Sequence, residues 1–168
     1  GRDVKLSEDR VKGYKSFTNK IWNAGKFLQI NEAIFEDSLD FQNIHFESNK
    51  WIIKEIDDLQ IQIENLTKKY LFHEVANKIY HFVWHTYCDW YIELIKKNFN
   101  DKKFSDEIRK TSGWSFIQIL KIIHPIMPYI SEKLWRSLVN SNSFLMNQIY
   151  EKKNIGKNFN NSKKNINL

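Results

Sequence analysis

His81, His85 and Asp89 stand at i, i+4 and i+8, which puts two imidazoles and a carboxylate on one face of a helix, with Cys88 beside them. Imidazoles one turn apart can share a metal ion. No fourth ligand is evident, and the competing reading is a set of polar side chains at the edge of a helical bundle, hydrogen-bonded or solvated. Other reaction chemistry is absent from the pattern. The five glycines never cluster into a phosphate cradle, and no Ser/His/Asp or Cys/His nucleophile arrangement is present.

A second constellation points to recognition. Between Ser7 and Asn31 the residues Lys12, Lys15, Asn19, Asn23 and Lys26 recur on one stripe at 100° per residue, while Val11, Tyr14, Phe17, Ile21, Ala24 and Leu28 fall on the opposite, apolar stripe. Phe27 lies on neither: it sits about 130° from the apolar centre. A Phe so placed needs a partner, either another helix or a ligand with a flat face. Single-stranded RNA is read by splaying bases onto aromatic rings and bonding their edges to amides and cations. This row carries those groups, although a solvated Lys-rich face is the ordinary reading of such a stripe. Trp84, which flanks the apolar line of a later helix, is a further candidate stacking ring; most of the other aromatics read as core.

The elements that must position these residues are helices. Ser7 is a candidate N-cap of the first, followed by Glu8 and Asp9 where the helix dipole favours negative charge. Residues 1–6 read as the end of a preceding domain or a linker, and 32–47 as a linker or a short irregular segment. A second helix is predicted from Ser48, as cap, with Ile52, Ile56, Leu59, Ile63, Leu66 and Tyr70 as a heptad seam. After a break at Tyr70–Phe72, a third helix covers His73 to Lys97, with Ala76, Ile79, Val83, Tyr87, Trp90 and Leu94 as its main apolar line and Phe82, Trp84 and Tyr91 widening it. Residues 98–103 form a polar loop. A fourth helix spans Ser105 to Ile123, with Trp114, Ile117, Leu120 and Ile123 inward. Pro125 and Pro128 end it and start a fifth, Tyr129 to Val139, presenting Ile130, Leu134 and Leu138. The expected fold is all-α, an antiparallel bundle of about five helices over 7–139. An Asn/Lys-rich tail follows over 140–168, in which only Phe144 to Tyr150 looks able to pack or add a strand.

Composition narrows the partners. The net charge of +6 is gathered at the ends: residues 1–31 carry +4, 140–168 carry +4, and the middle carries −2. Basic ends favour a polyanion. Lys outnumbers Arg 22 to 4, the bias of an AT-rich coding sequence, so single lysines weigh less than usual. No run of about 20 apolar residues could span a bilayer. One cysteine and no visible signal peptide fit a reducing cytoplasm. A chain beginning with Gly rather than Met reads as part of a longer protein.

Three motifs then give a resemblance. The opening residues Gly1, Arg2, Asp3, Arg10, Val11, Gly13, Tyr14, Phe17, Asn19, Lys20, Trp22, Asn23, Ala24 and Phe27 match the start of the anticodon-binding domain of valyl-tRNA synthetases. Phe82 to Glu93, FVWHTYCDWYIE, and His124 to Trp135, HPIMPYISEKLW, are similar to two later motifs of the same family. The last is shared with isoleucyl and leucyl enzymes, whose anticodon-binding domains remain the alternative, together with a non-catalytic helical docking module. The resemblance implies binding of the anticodon arm of tRNA-Val, with an upstream class I catalytic domain as the other partner. On it, the candidate RNA-binding residues are Arg10, Lys12, Lys15, Asn19, Lys20, Asn23, Lys26, Phe27 and Trp84, with no catalytic residue and no metal site. It implies no cofactor here, with ATP and Mg expected for the full-length enzyme. The class I signatures His-x-Gly-His and Lys-Met-Ser-Lys-Ser are missing, so the chain should be inactive in aminoacylation alone. It departs from the family at Asp9, where a cation is usual, and at Gly25, where Ala is usual. The family pattern fades after Tyr150.

Overall fold

The computed structural model describes residues 8–139 and 142–148, with side chains from Lys12 onward. Its elements are α1 (Glu8–Ile30), a 3-10 turn (Phe41–Asn43), α2 (Glu47–Lys68), α3 (Phe72–His81), a π-helical segment (Phe82–Tyr91), α4 (Ile92–Lys96), α5 (Ser105–Ile123), α6 (Pro128–Leu134), a second π-helical segment (Trp135–Val139) and a closing 3-10 turn (Leu145–Asn147). The all-α expectation holds: the described residues contain no strand. The expectations for residues 1–6, the Ser7 cap, Val11 and the tail beyond Gln148 lie outside the described residues.

The apolar pattern dictates which helix is central. In α5 every residue from Thr111 to Ile117 is buried, so over these two turns no face of the helix is left for water. Its neighbours enclose it. α1 runs antiparallel to it, with Asn31 near Arg109 and Gly25 near Phe116. The first π segment also runs antiparallel, and α2 runs parallel, its start beside the start of α5. α6 returns along α5 after the Pro125–Pro128 turn, with Pro128 in its first turn as the sequence suggests.

Two contacts on α5 fix the loop arrangement. The carboxylate of Glu107 accepts from the backbone N–H groups of His45 (2.9 Å) and Phe46 (3.0 Å) and from the amide of Asn49 (2.8 Å). The N-cap of α2, Phe46, makes no side-chain cap bond, so a carboxylate from another helix takes that role. Asn49 is fully buried and its oxygen accepts from the Tyr91 hydroxyl at 3.0 Å, which ties α2, α5 and the π segment together. The second contact is a close approach: a Cβ on Gly113 would lie 2.0 Å from the carbonyl oxygen of Ile34. The 32–40 segment crosses α5 there, held by Ile34 N–H donating to Arg109 O (2.9 Å) and by Asp37 accepting from Lys121 and Gln118.

The structure corrects several sequence expectations. Ser48 lies inside α2 rather than at its cap, because Glu107 supplies the capping acceptor. Tyr14 is 62% exposed: it precedes the point at which α1 meets the bundle, and burial on its stripe begins at Phe17. Tyr70 is not in the α2 seam. It has φ of 59° and ends the helix, with Tyr70 N–H bonded to Thr67 O and Leu71 N–H to Leu66 O, a left-handed cap without glycine. Glu32, φ 60°, closes α1 in the same way.

The largest correction concerns the third helix. Trp90 (64% exposed) and Leu94 point outward, while Val75, Ile79, Val83, Tyr87, Tyr91 and Ile95 are buried. In an ordinary α-helix a strict four-residue repeat drifts by about 40° per step and leaves the core. The wider i→i+5 winding over Phe82–Tyr91 advances each residue less and cancels the drift. Gly25 also has a packing reason. Its absent Cβ would fall 2.6 Å from Leu138 and 2.7 Å from Phe116, so glycine lets α1 seat closely where α5 and the second π segment converge.

These contacts give three expectations. Gly113→Ala must push the Ile34 backbone off α5 and should cost about 1–3 kcal/mol in urea unfolding, the range for overpacking a tight core. Glu107→Ala should cost about 2–4 kcal/mol, from a lost cap and an unmet buried amide, with faster hydrogen exchange at His45 and Phe46. Tyr70→Gly should stabilise by about 1 kcal/mol, by relieving a left-handed residue at an exposed position.

Candidate nucleic-acid interface

α1 exposes the row the sequence suggests. Lys12, Lys15, Asn19 and Asn23 are exposed on one line, and Lys26 continues it half-buried. Fourteen steps of 1.5 Å from Lys12 to Lys26 make a row of about 21 Å. The side chain of Arg10 lies outside the described residues. The other candidates divide by flank, according to which neighbouring element they meet.

On the flank facing the π segment, Lys20 reaches across to Asp89, whose carboxylate accepts from its ammonium at 2.5 Å, and sits 4.2 Å from the centroid of the Trp84 ring. The Lys20 hydrogen bond, chiefly, holds the Asp89 carboxyl below the usual carboxylate range. Trp84 stacks on Tyr80 at 5.6 Å, and Tyr80 stacks on Phe17 at 5.2 Å. Trp84 is therefore half-buried in a ring stack capped by a neutralised lysine. Phe27 lies on the same flank, further along. Its ring is half-buried and meets Phe99 edge-to-face at 5.7 Å. The ring off the apolar stripe thus has a partner inside the chain, contributed by the loop after α4, and is less open than the sequence suggests.

On the flank facing α6, the half-buried Trp22 ring has Lys26 Nζ at 5.7 Å and Lys133 Nζ at 5.4 Å from its centroid. The Lys26 ammonium also donates to Gln29 Oε1 at 2.9 Å. The pairing of Trp22 with Lys133 is not visible in the sequence, since it needs the Gly25 approach that brings α6 to α1.

His81, His85 and Asp89 do not converge on a common point. The two imidazoles stack at 5.6 Å, and His85 Nδ1 lies 3.1 Å from Asp89 Oδ2. Among the described residues no group of three His, Cys, Asp or Glu is placed to hold a metal ion. Burial pushes the Cys88 thiol up to about 12, which removes it as a nucleophile near neutral pH. The described glycines do not fit ATP either: all three lie within helices, and a neighbouring side chain or backbone already fills the space at Gly25 and Gly113. A groove of about 540 Å³ between α2 and the Leu145–Asn147 turn is mainly apolar and is lined by no residue of α1. No helix among the described residues is long and apolar enough to cross a membrane.

Comparison with known proteins agrees with recognition rather than catalysis. Residues 49–168 match the family described as the anticodon-binding domain of tRNA ligase, so the match continues beyond Tyr150, where the motif resemblance fades. Similar curated proteins include the valine–tRNA ligases of Pelagibacter ubique (45% identical over 137 residues, 80% of this chain and 16% of that protein). That of Caulobacter vibrioides is 40% identical over 136 residues, 80% of this chain and 15% of its own length. That of Zymomonas mobilis is 40% identical over 143 residues, 82% and 16%. The chain thus spans only 15–16% of the length of these relatives. With a family match over most of its length and an all-α bundle, this chain belongs to the anticodon-binding domain family of tRNA ligases.

Proposed function

We propose that this chain binds the anticodon arm of tRNA-Val as part of a valine–tRNA ligase whose ATP-dependent chemistry resides in an upstream class I catalytic domain. The observation that carries the reading is the exposed row Lys12, Lys15, Asn19 and Asn23 on α1, continued by Lys26. Ammonium groups at the ends of the row take phosphates, and the two amides between them meet base edges. Phe27 offers the part of its ring not covered by Phe99 for stacking, in a supporting role. Lys20 and Trp84 act chiefly as a brace between α1 and the π segment. The bundle is one domain over 7–139, with 140–168 as its extension, and its setting is the cytoplasm.

Docking to the rest of such a ligase has its own surface. By topology α1, α3 and α6 begin, and α2 and α5 finish, at one end of the bundle. Tyr14, Tyr70, Phe72 and Tyr129 are exposed at that end. A face so rich in aromatics suits a neighbouring domain better than water.

The test is binding of the tRNA-Val anticodon stem-loop by fluorescence anisotropy. Wild type should bind it more tightly than a scrambled hairpin. Asn23→Ala with Lys15→Gln should weaken it at least tenfold, with the thermal melt unchanged because both side chains are exposed. Phe27→Leu keeps the apolar contact to Phe99 but loses the flat face, and should cost about 1 kcal/mol or more if the ring stacks a base. Equal binding of scrambled and native hairpins would sink the anticodon reading.

A further inference from the structure

The two flanks of the α1 row differ in charge compensation. On the π-segment side the lysine is paired: Lys20 is bound to Asp89, and the nearest imidazole, His85, turns to the same carboxylate. On the α6 side three cations gather without such a partner. Lys26 and Lys133 approach the Trp22 ring, and Arg136, one turn beyond Lys133, lies 4.2 Å from the centroid of Phe144, which is itself exposed. Among the described residues none of these three is in an ion pair. The nearest carboxylate in sequence, Glu132, is turned to the backbone N–H groups of Leu145 (3.1 Å) and Met146 (2.9 Å). The α6 flank therefore presents uncompensated positive charge beside two accessible rings, the arrangement that tracks a single strand: cations for the backbone, aromatic faces for the bases.

We propose that the α1–α6 flank is a second contact surface for single-stranded RNA, in which Trp22 stacks a base and Lys133 and Arg136 take the adjoining phosphates. The proposal rests on the anticodon-arm reading of α1 and extends it in a stated direction: the strand leaves the α1 row toward α6, away from the side neutralised by Asp89. The flank depends on Gly25, because the close seating of α1 against Leu138 brings Lys133 within reach of Trp22.

The experiment is a salt titration of anticodon stem-loop binding with the full chain, comparing wild type, the double variant Lys133→Gln/Arg136→Gln and Trp22→Leu. Each lost phosphate contact to a single strand lowers the slope of log K against log salt by about 0.7, so the double variant should lose about 1.4 in slope. Trp22→Leu should bind about 5- to 150-fold more weakly with little change of slope, as for loss of one stacked base. Trp22 is half-buried, so if that variant does not fold, the double variant alone decides, since Lys133 and Arg136 are exposed and their loss leaves the core untouched. A wild-type protein that binds the stem-loop, with a double variant of unchanged affinity and slope, overturns this proposal and leaves the α1 reading standing. A wild-type protein that does not prefer the stem-loop over a scrambled hairpin overturns both.

Discussion

The bundle depends on one carboxylate. Glu107 sits in the first turn of α5, where a negative charge is favourable, and it spends both oxygens on the start of another helix. A helix start leaves several N–H groups without partners, and α2 has no capping side chain of its own. By accepting from His45, Phe46 and Asn49 at once, Glu107 sets the height and direction of α2 against α5. Asn49 then presents its oxygen to Tyr91, so the same carboxylate indirectly orders the π segment. A buried amide left without either bond would cost about 1–3 kcal/mol, which makes this register of three helices strongly preferred over its neighbours. Glu132 repeats the device at the other end of the chain, holding the Leu145–Asn147 turn onto α6.

The inner frame is closed by α5 and these two carboxylates, neither of which draws on the outer row of α1. Asn19 and Asn23 are exposed, and Lys15 is exposed in a stretch where the opposite stripe, from Phe17 to Leu28, is buried. Polar residues on the solvent side of a helix normally vary freely in type. Here two amides lie between ammonium groups along about 21 Å, the composition that the proposed strand contact would use. The rigid inner face keeps the row straight, and a straight, preorganised row loses little entropy when a flexible strand settles on it.

What was legible in the sequence follows from the range of the interactions. α5 reads to the residue, Ser105 to Ile123, because its apolar density and the prolines beyond it are local signals. The Ser48 cap was misplaced because the real cap comes from a residue 61 positions away. The two left-handed caps, Glu32 and Tyr70, carry none of the glycine that usually marks them. The third helix shows the sharpest limit. A four-residue repeat of Val75, Ile79, Val83, Tyr87, Tyr91 and Ile95 is present in the sequence, but a reading at 3.6 residues per turn discards it and selects Trp90 and Leu94 instead. The period itself carries the information: a strict repeat of four is what a widened helix needs to keep one side on the core.

The candidate site divides along the same line. The α1 row is a local pattern and was legible. Phe27 was rightly placed off the apolar stripe, but its contact with Phe99 crosses 72 residues of chain and shifts the ring toward packing. The fate of each lysine depends on tertiary neighbours that spacing cannot show. Lys20 and Lys26 are both cations on one helix beside an indole, yet Asp89 neutralises the first and nothing comparable meets the second. At an exposed surface an ion pair adds little stability, about 0–1 kcal/mol, so the Lys20–Asp89 contact matters less as glue than as a local cancellation of field. Cancelling one flank while leaving the other positive gives the α1 surface a direction. On the proposed reading, a strand on the amide row would find more attraction toward α6 than toward Asp89, and this asymmetry of charge would select the side along which it continues.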